Sequence, residues 1–216
     1  MNLLPKGLLV KTSELDQAPW SYARGPLGIA SRARFHLVLA ALRRLERQPD
    51  RRLVEVGYGS GLFLPELARQ CDTLLGIDVH PHAAAVAAAL RRVGVDADLR
   101  QGSVESLPLP DASVDVAVVV SALEFVDDIH AAARELARVL RPGGALVVVT
   151  PGQGRLLDLG LTVLTGENPE DTFQGRRGTI LPALRAVLRE EAVTTFPPRW
   201  LPLMPRLYTC SLLRKG

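Results

Sequence analysis

The sequence predicts a doubly wound α/β fold, in which helices cover both faces of a mostly parallel sheet. Short apolar segments alternate with helical segments from residue 31 to residue 150, and strands joined by crossover helices pair in parallel. The segment 114–120 is apolar except for Asp115, which is typical of a strand covered on both faces. The length of 216 residues suits a single domain with a sizeable core.

The composition is that of an ordinary globular protein and excludes several other classes. Hydrophobic residues make up 47% and charged residues 23% of the chain, which argues against disorder and coiled coil. No apolar run approaches the ~20 residues that a spanning helix needs, and residues 1–6 lack a signal-peptide layout, so we expect a cytoplasmic protein. The net charge is only +3 with scattered arginine pairs, which argues against a nucleic-acid partner. Cys71 and Cys210 have no CxxC spacing, and we expect both to be small buried hydrophobes.

The individual elements follow from periodicity and from the residues that stop it. Residues 1–30 predict an irregular N-terminal arm, and Ser31 opens a helix that ends before Pro49. The predicted strands are 53–56, 73–77, 98–100, 114–120 and 145–150, and the later helices are 62–70, 81–92 and 129–140. After Thr150 the pattern weakens; it predicts helices at 156–164 and 181–189, a polar loop at 167–178, and a closing strand pair at 193–196 and 207–213.

The first strand runs into a glycine-rich turn, Gly57-Tyr58-Gly59-Ser60-Gly61. In doubly wound sheets, ligands bind beyond the carboxyl ends of the strands, where the strand order reverses. Alternate glycines let a backbone approach a ligand, and the N–H groups of the next helix point into the same space. The dinucleotide fingerprint requires glycine where Leu62 stands, and neither a P-loop nor a GxSxG sequence is present. By itself, the turn is also compatible with a tight connection that binds nothing.

A second candidate is Asp78, which ends the second predicted strand. A carboxylate at this place can accept hydrogen bonds from both hydroxyls of a ribose. A turn aspartate or the N-cap of the next helix is the alternative.

Five segments, in order, resemble the class I S-adenosylmethionine-dependent methyltransferases, in their small, single-domain ubiquinone/menaquinone-methyltransferase-like group (methyltransferase type 11). The segments are LVEVGYGSGL (53–62), LGID (75–78), QGSVESLPL (101–109), DASVDVAVVVSALEFV (111–126) and ELARVLRPGGALVV (135–148). The resemblance implies a Rossmann-like, seven-stranded sheet with an antiparallel last strand, and S-adenosyl-L-methionine as the cofactor without a metal. It also implies one domain over 1–216, with an arm or lid (1–30), a cofactor-binding core (50–150) and a substrate side (151–216).

The same resemblance assigns roles to individual positions. Glu55 would orient the glycine loop and the methionine amino group, Asp78 would hold the ribose hydroxyls, and Val79 would line the adenine. The full cofactor-binding set is Glu55, Gly57, Tyr58, Gly59, Ser60, Gly61, Asp78, Val79, Ser103, Val104, Ser121 and Ala122. Two positions depart from the family, because Ser103 and Glu124 stand where it often has Asp and His.

The expected reaction is in-line displacement of an activated methyl group, which mainly requires that the acceptor be positioned. An oxygen or carbon acid acceptor also needs a base, for which the candidates are Glu124, His130 and Tyr22. For Glu124, a structural role in its loop is an equal alternative. Trp20 and Tyr22 either close over the cofactor or pack on the sheet edge. His80-Pro81-His82 resembles a metal-binding sequence, but the lack of nearby cysteines or clustered carboxylates favours a loop beside the cofactor or a solvated helix start.

The acceptor pocket is expected from the arm (15–30), the segment 151–180 and the proline-rich stretch 197–206. Their apolar side chains suit a lipophilic or aromatic small molecule, or simply cover the sheet: Leu156, Leu157, Leu161, Val163, Leu164, Trp200, Leu201, Leu203 and Met204. The leading hypothesis is methyl transfer to a small molecule. The alternatives are a non-catalytic S-adenosylmethionine-binding protein and a nicotinamide-dependent reductase; Leu62 argues against the latter. The acceptor, the attacked atom and the choice between monomer and homodimer stay open.

Overall fold

The protein forms a seven-stranded sheet flanked by helices, and the computed structural model describes residues 1–12, 18–152, 176–198, 201 and 205–216. The strands are β1 (Arg52–Val56), β2 (Thr73–Asp78), β3 (Asp98–Gln101), β4 (Val114–Val120), β5 (Leu140–Pro151), β6 (Arg189–Phe196) and β7 (Tyr208–Arg214). The α-helices of these residues are α1 (Pro26–Leu42), α2 (Leu64–Leu67), α3 (Ala83–Arg91), α4 (Ile129–Val139) and α5 (Ile180–Arg185). None of these helices is long and apolar enough to cross a membrane.

The strand order is β3-β2-β1-β4-β5-β7-β6. Strands β1 to β5 pair in parallel, and β7 runs antiparallel to both β5 and β6, which confirms the predicted fold class and closing strand pair. The chain passes from β1 outward through β2 to β3 and then returns to place β4 on the other side of β1. The carboxyl ends of β1 and β4 are therefore the topological switch point, where this kind of sheet binds its ligands.

Two apolar clusters lie on opposite faces of the sheet. Along β4, Val116 and Val118 face the cluster that contains α1, whereas Ala117 and Val119 face the cluster that contains α4. Both faces of this strand are buried, which explains why its sequence is almost continuously apolar. Cys71 and Cys210 are free and buried in the α1 cluster, as expected.

Helix α1 starts earlier than the sequence indicated. It begins at Pro26 rather than Ser31 and ends at Leu42, so the arm is shorter than the predicted 1–30. Gly25, with φ +75°, turns the chain, and Pro26 occupies the first helical position, where its missing N–H has no helical partner to lose. The predicted apolar face is buried: Phe35, Val38, Leu39, Leu42 and Leu45.

Other boundaries shift for local reasons. The predicted helix 62–70 has one α-helical turn at Leu64–Leu67, followed by a 3-10 turn at Ala68–Gln70. Strand β5 includes the Pro-Gly-Gly turn, because the Gly143 N–H donates to the Lys215 carbonyl and the Lys215 N–H to the Gly144 carbonyl. Helix α5 ends at Arg185, before the predicted 189, since β6 already begins at Arg189. The predicted helix 156–164 and most of the loop 167–178 lie outside the described residues.

Candidate functional site

A cavity of about 1140 Å³ lies at the switch point. It is lined by the loops after β1, β2 and β4, by the turn after β3, by α1 and by the residues around the start of β7. Eleven of the twelve predicted cofactor-binding residues line it: Glu55, Gly57, Tyr58, Gly59, Ser60, Asp78, Val79, Ser103, Val104, Ser121 and Ala122. The twelfth, Gly61, lies behind the loop, close to the Val86 side chain.

The glycine loop has two kinds of glycine. Gly57 has φ +79°, and a Cβ there would stand 2.5 Å from the Ala122 Cβ, so the loops after β1 and β4 touch only because this residue is glycine. Gly59 has φ +51°, and within the described part of the chain the nearest atom to a Cβ there would be the Thr12 hydroxyl oxygen, 4.0 Å away. The apex of the loop therefore faces open space in the cavity, where a ligand can approach the backbone.

Asp78 supports the apex of this loop. Its Oδ2 accepts the Gly59 N–H at 2.7 Å, and its Oδ1 accepts the His80 N–H at 3.3 Å. Helix α3 has His82 at its N-cap position, so Asp78 does not cap that helix. A carboxylate has about four lone-pair sites, and Asp78 retains acceptor capacity for ligand hydroxyls.

Glu55 supplies a buried carboxyl group beneath the loop. The residue is 3% exposed, and its Oε2 has no hydrogen-bond partner within the described residues. Burial raises the pKa of Glu55 well above its usual value, the charge of Asp78 raises it further, and Arg34 opposes both. An unpartnered buried oxygen is costly, and a ligand ammonium group in the cavity would satisfy it.

Arg34 is a cavity residue that the sequence reasoning missed. It lies on α1, is 9% exposed, and its Nε has no hydrogen-bond partner among the described residues. Its positive charge lowers the pKa of Glu55 and of Glu124, so the guanidinium interacts electrostatically with both carboxyl groups. The sequence contains one signal for this residue, because Arg34 is a charged residue on the otherwise apolar face of α1, one turn before Val38.

Glu124 is the base candidate that the structure brings to the cavity. It lies in a 3-10 turn after β4 and is 1% exposed, and its Oε2 has no partner in the described structure. Burial raises the pKa of Glu124 to about 7, against a hydrogen bond from its own backbone and the charges of Arg34 and Arg177. A carboxyl group with such a pKa can take up a proton near neutral pH.

Ser121 gives the loop after β4 its direction. Its φ is +52°, an uncommon conformation for a non-glycine residue that concentrates at functional sites. Its Oγ is buried without a partner in the described residues. The turn places Ala122 against Gly57 and leads directly to Glu124.

The expected adenine side is a shallow wall between the ends of β2 and β3. The Gly102 N–H donates to the Asp78 carbonyl at 2.9 Å, and the Gln101 side chain donates to the Val79 carbonyl at 2.9 Å. The Val79 side chain stays 68% exposed, which leaves an apolar surface for a flat ring. The Ser103 hydroxyl accepts the Glu105 N–H at 3.1 Å, so it shapes the turn and keeps its own O–H to donate.

The remaining candidates lie elsewhere. Tyr22 is outside the cavity lining; its hydroxyl donates to the Leu4 carbonyl, and burial raises its pKa. His130 is exposed at the start of α4 and does not line the cavity either. Trp20 is half-buried in the cavity wall. The residues 156–164, 200, 203 and 204 of the predicted acceptor pocket lie outside the described part of the chain, which includes a half-buried Leu201.

The histidine pair after Asp78 is split between two environments. His80 is 8% exposed and lines the cavity, whereas His82 is exposed at the start of α3. The residues that the structure describes contain no group of three or more side chains able to hold a metal ion.

Comparison with known proteins gives the family. Residues 54–148 match the methyltransferase domain family. A protein of Mycolicibacterium smegmatis, named as a probable S-adenosylmethionine-dependent methyltransferase, is 36% identical over 107 residues, 50% of this chain and 40% of that protein. The malonyl-acyl-carrier-protein O-methyltransferase of Methylococcus capsulatus is 31% identical over 192 residues, 82% of this chain and 68% of the relative. A SAM-dependent methyltransferase structure from Aquifex aeolicus superposes with a TM-score of 0.67 at 17% identity, covering 94% of this chain and 100% of the other, which shows the fold.

The chain therefore belongs to the class I S-adenosylmethionine-dependent methyltransferases, a family of enzymes whose cofactor is S-adenosylmethionine. It spans 40%, 43% and 47% of the length of the first three curated relatives that it matches.

Proposed function

We propose that this chain transfers the methyl group of S-adenosylmethionine to a small lipophilic or aromatic acceptor. One observation carries the proposal: the carboxyl group of Glu55 and the guanidinium of Arg34, each buried and each with an atom that has no partner among the described residues, line the same cavity as an open glycine loop. The methionine end of the cofactor has an ammonium and a carboxylate group. Glu55 is available to the first and Arg34 to the second, while Asp78 is available to the ribose hydroxyls.

The acceptor half of the cavity lies between α1 and the start of β7. Leu27 and Leu207 line it together with Phe125, and Leu27 and Phe125 are 40% and 46% exposed. Covering such side chains with an apolar ligand contributes roughly 25 cal/mol per Å² of surface removed from water. This part of the cavity therefore favours a lipophilic or aromatic acceptor over a strongly polar one.

The residues of the chain would act mainly by positioning. The sulfonium methyl is already activated, and holding two reactants in line supplies roughly 7–11 kcal/mol in favourable systems. Where the attacking atom carries a proton, Glu124 would accept it, since its carboxyl group lies in the cavity and burial raises its pKa to about 7. Tyr208, whose pKa burial also raises, lines the same cavity.

The test is turnover of S-adenosylmethionine with a panel of acceptors. The panel contains phenols, hydroquinones and free fatty acids, and also acyl thioesters on a carrier protein, because one relative is named for such an acceptor. Formation of S-adenosylhomocysteine together with a methylated small molecule supports the proposal. If only the carrier-bound acyl groups are methylated, the proposal that the acceptor is a free small molecule is wrong.

Two alternatives predict different results. A non-catalytic binding protein would bind S-adenosylhomocysteine and turn over no acceptor. A nicotinamide-dependent reductase would bind NADH or NADPH instead of S-adenosylhomocysteine.

A further inference from the structure

His80 is a buried polar residue that the proposed methyl transfer does not use. It stands two residues after Asp78, and its side chain is 7% exposed. Its ring packs edge-to-face against the Tyr58 ring, with 5.0 Å between the ring centroids. The Nδ1 atom accepts the His82 backbone N–H at 3.1 Å. In a neutral imidazole one nitrogen accepts and the other donates. The proton of the neutral ring is therefore on Nε2.

The Nε2 atom is directed at the glycine loop. It lies 2.9 Å from the Gly59 carbonyl oxygen, so the ring donates a hydrogen bond to that carbonyl. The N–H of the same residue donates to Asp78 Oδ2 at 2.7 Å. Gly59 is thus held on both sides by two side chains from the end of β2.

This pair of hydrogen bonds sets the backbone at the point where the loop faces the cavity. Among the described residues, which do not include 13–17, the one atom within 4 Å of a Cβ placed on Gly59 is the Thr12 hydroxyl oxygen, at that limit, so these residues restrain it little by packing. A peptide unit is planar, with its C=O and N–H pointing in opposite directions. Fixing the Gly59 carbonyl toward His80 therefore also fixes the direction of the Ser60 N–H.

We propose that His80 is a positioning residue for cofactor binding, which holds the Gly59 carbonyl and so presets the glycine loop in its binding conformation. The inference rests on the proposed function, since S-adenosylhomocysteine is the probe. Preorganisation of this kind increases affinity because the ligand no longer has to order the loop.

Two substitutions separate the two hydrogen bonds of the ring. In His80→Gln the amide nitrogen reaches about as far as Nε2, so the bond to Gly59 is kept and the bond from His82 is lost. In His80→Asn the amide oxygen stands where Nδ1 stands, so the bond from His82 is kept and the bond to Gly59 is lost. His82→Gln is the matched control, because the His82 side chain is exposed and only the His82 backbone makes the hydrogen bond to Nδ1. It also removes the neighbouring ring, whose centroid lies 5.7 Å from that of His80, and leaves both hydrogen bonds of the His80 ring in place.

The readouts are S-adenosylhomocysteine affinity by calorimetry and the thermal midpoint of the unliganded protein. We expect His80→Asn to bind about 3- to 10-fold more weakly, the effect of losing one hydrogen bond. His80→Gln and His82→Gln should bind within about 2-fold of the unsubstituted protein, even where the thermal midpoint of His80→Gln is lower. A merely structural role would make affinity follow the thermal midpoint instead.

Unchanged affinity in His80→Asn, or equal losses in both His80 variants, would overturn the role of His80. If His80→Asn does not fold, His80→Gln alone decides: near-native affinity supports the proposal and a 10-fold loss overturns it. If the unsubstituted protein itself does not bind S-adenosylhomocysteine, the proposed function fails first, and the two failures are thereby distinguished.

Discussion

The Glu124 carboxyl group should make the stability of the unliganded protein depend on pH. The residue is 1% exposed, and burial raises its pKa from 4.5 to about 7. Between these two values the unfolded chain has lost the proton while the folded protein still binds it. The free energy of unfolding is therefore unaffected by this group below about pH 4.5, and it decreases as the pH rises toward about 7.

The size of the effect follows from the shift in pKa. One pKa unit corresponds to about 1.4 kcal/mol, so the rise from 4.5 to about 7 corresponds to roughly 3 kcal/mol of unfolding free energy. Glu124→Gln removes the titration and leaves a side chain of nearly the same shape. The variant should gain up to about 3 kcal/mol relative to the unsubstituted protein between about pH 4.5 and pH 8.

The assay is urea unfolding of both proteins at several pH values, with Glu46→Gln as the control because Glu46 is exposed. The quantity of interest is the difference in unfolding free energy between variant and parent, as a function of pH. A difference that does not change with pH, or one that moves in favour of the parent above pH 7, would refute the argument that burial governs this carboxyl group.

Three further predictions concern the same cavity. Asp78→Ala should weaken S-adenosylhomocysteine binding at least about 10-fold, through loss of charge-assisted hydrogen bonds. Asp96 is exposed, so Asp96→Ala should leave binding unchanged. Calorimetry of both variants measures the difference. Gly57→Ala should cost roughly 1–3 kcal/mol more than Gly94→Ala. Both residues have positive φ, but of the two only Gly57 has an atom of the described residues within 4 Å of the new Cβ. Urea unfolding measures the difference. With an acceptor that must lose a proton, kcat/KM should rise with pH through about 7, the pKa of Glu124, and Glu124→Gln should lose that rise; a preserved rise would exclude Glu124 as the base.

Much of the fold was predictable because its signals are local. The order of strands and crossover helices from β1 to β5 follows from apolar periodicity, and the right-handed crossover rule then limits the possible topologies. The start of α1 differs from the prediction because the prolines and glycines of residues 1–30 indicate an irregular arm, whereas Pro26 occupies the first helical position, which proline favours. The first residues of β5, 140–144, could not be predicted as strand from local sequence. Gly143 and Gly144 pair there with Lys215, which is far away in the sequence.

The candidate site was predictable where it depends on a motif and not where it depends on packing. The glycine loop and Asp78 could be identified from their spacing. Arg34 stands out in the sequence only as a charge on an apolar helix face; its place in the site could not be predicted, because the packing of α1 puts it in the cavity lining with Glu55 and Glu124. The role of His80 was also hidden, since it arises from a bond to the backbone of another loop, which side-chain patterns do not reveal.

The most direct test of the account is calorimetric titration of the purified protein with S-adenosylhomocysteine, with NADH and NADPH as controls. We expect S-adenosylhomocysteine to bind in the micromolar range and neither nicotinamide to bind, together with a marked loss of affinity in Asp78→Ala. Binding of a nicotinamide in its place, or no binding of S-adenosylhomocysteine, would contradict the assignment of the cavity at the switch point as the cofactor site.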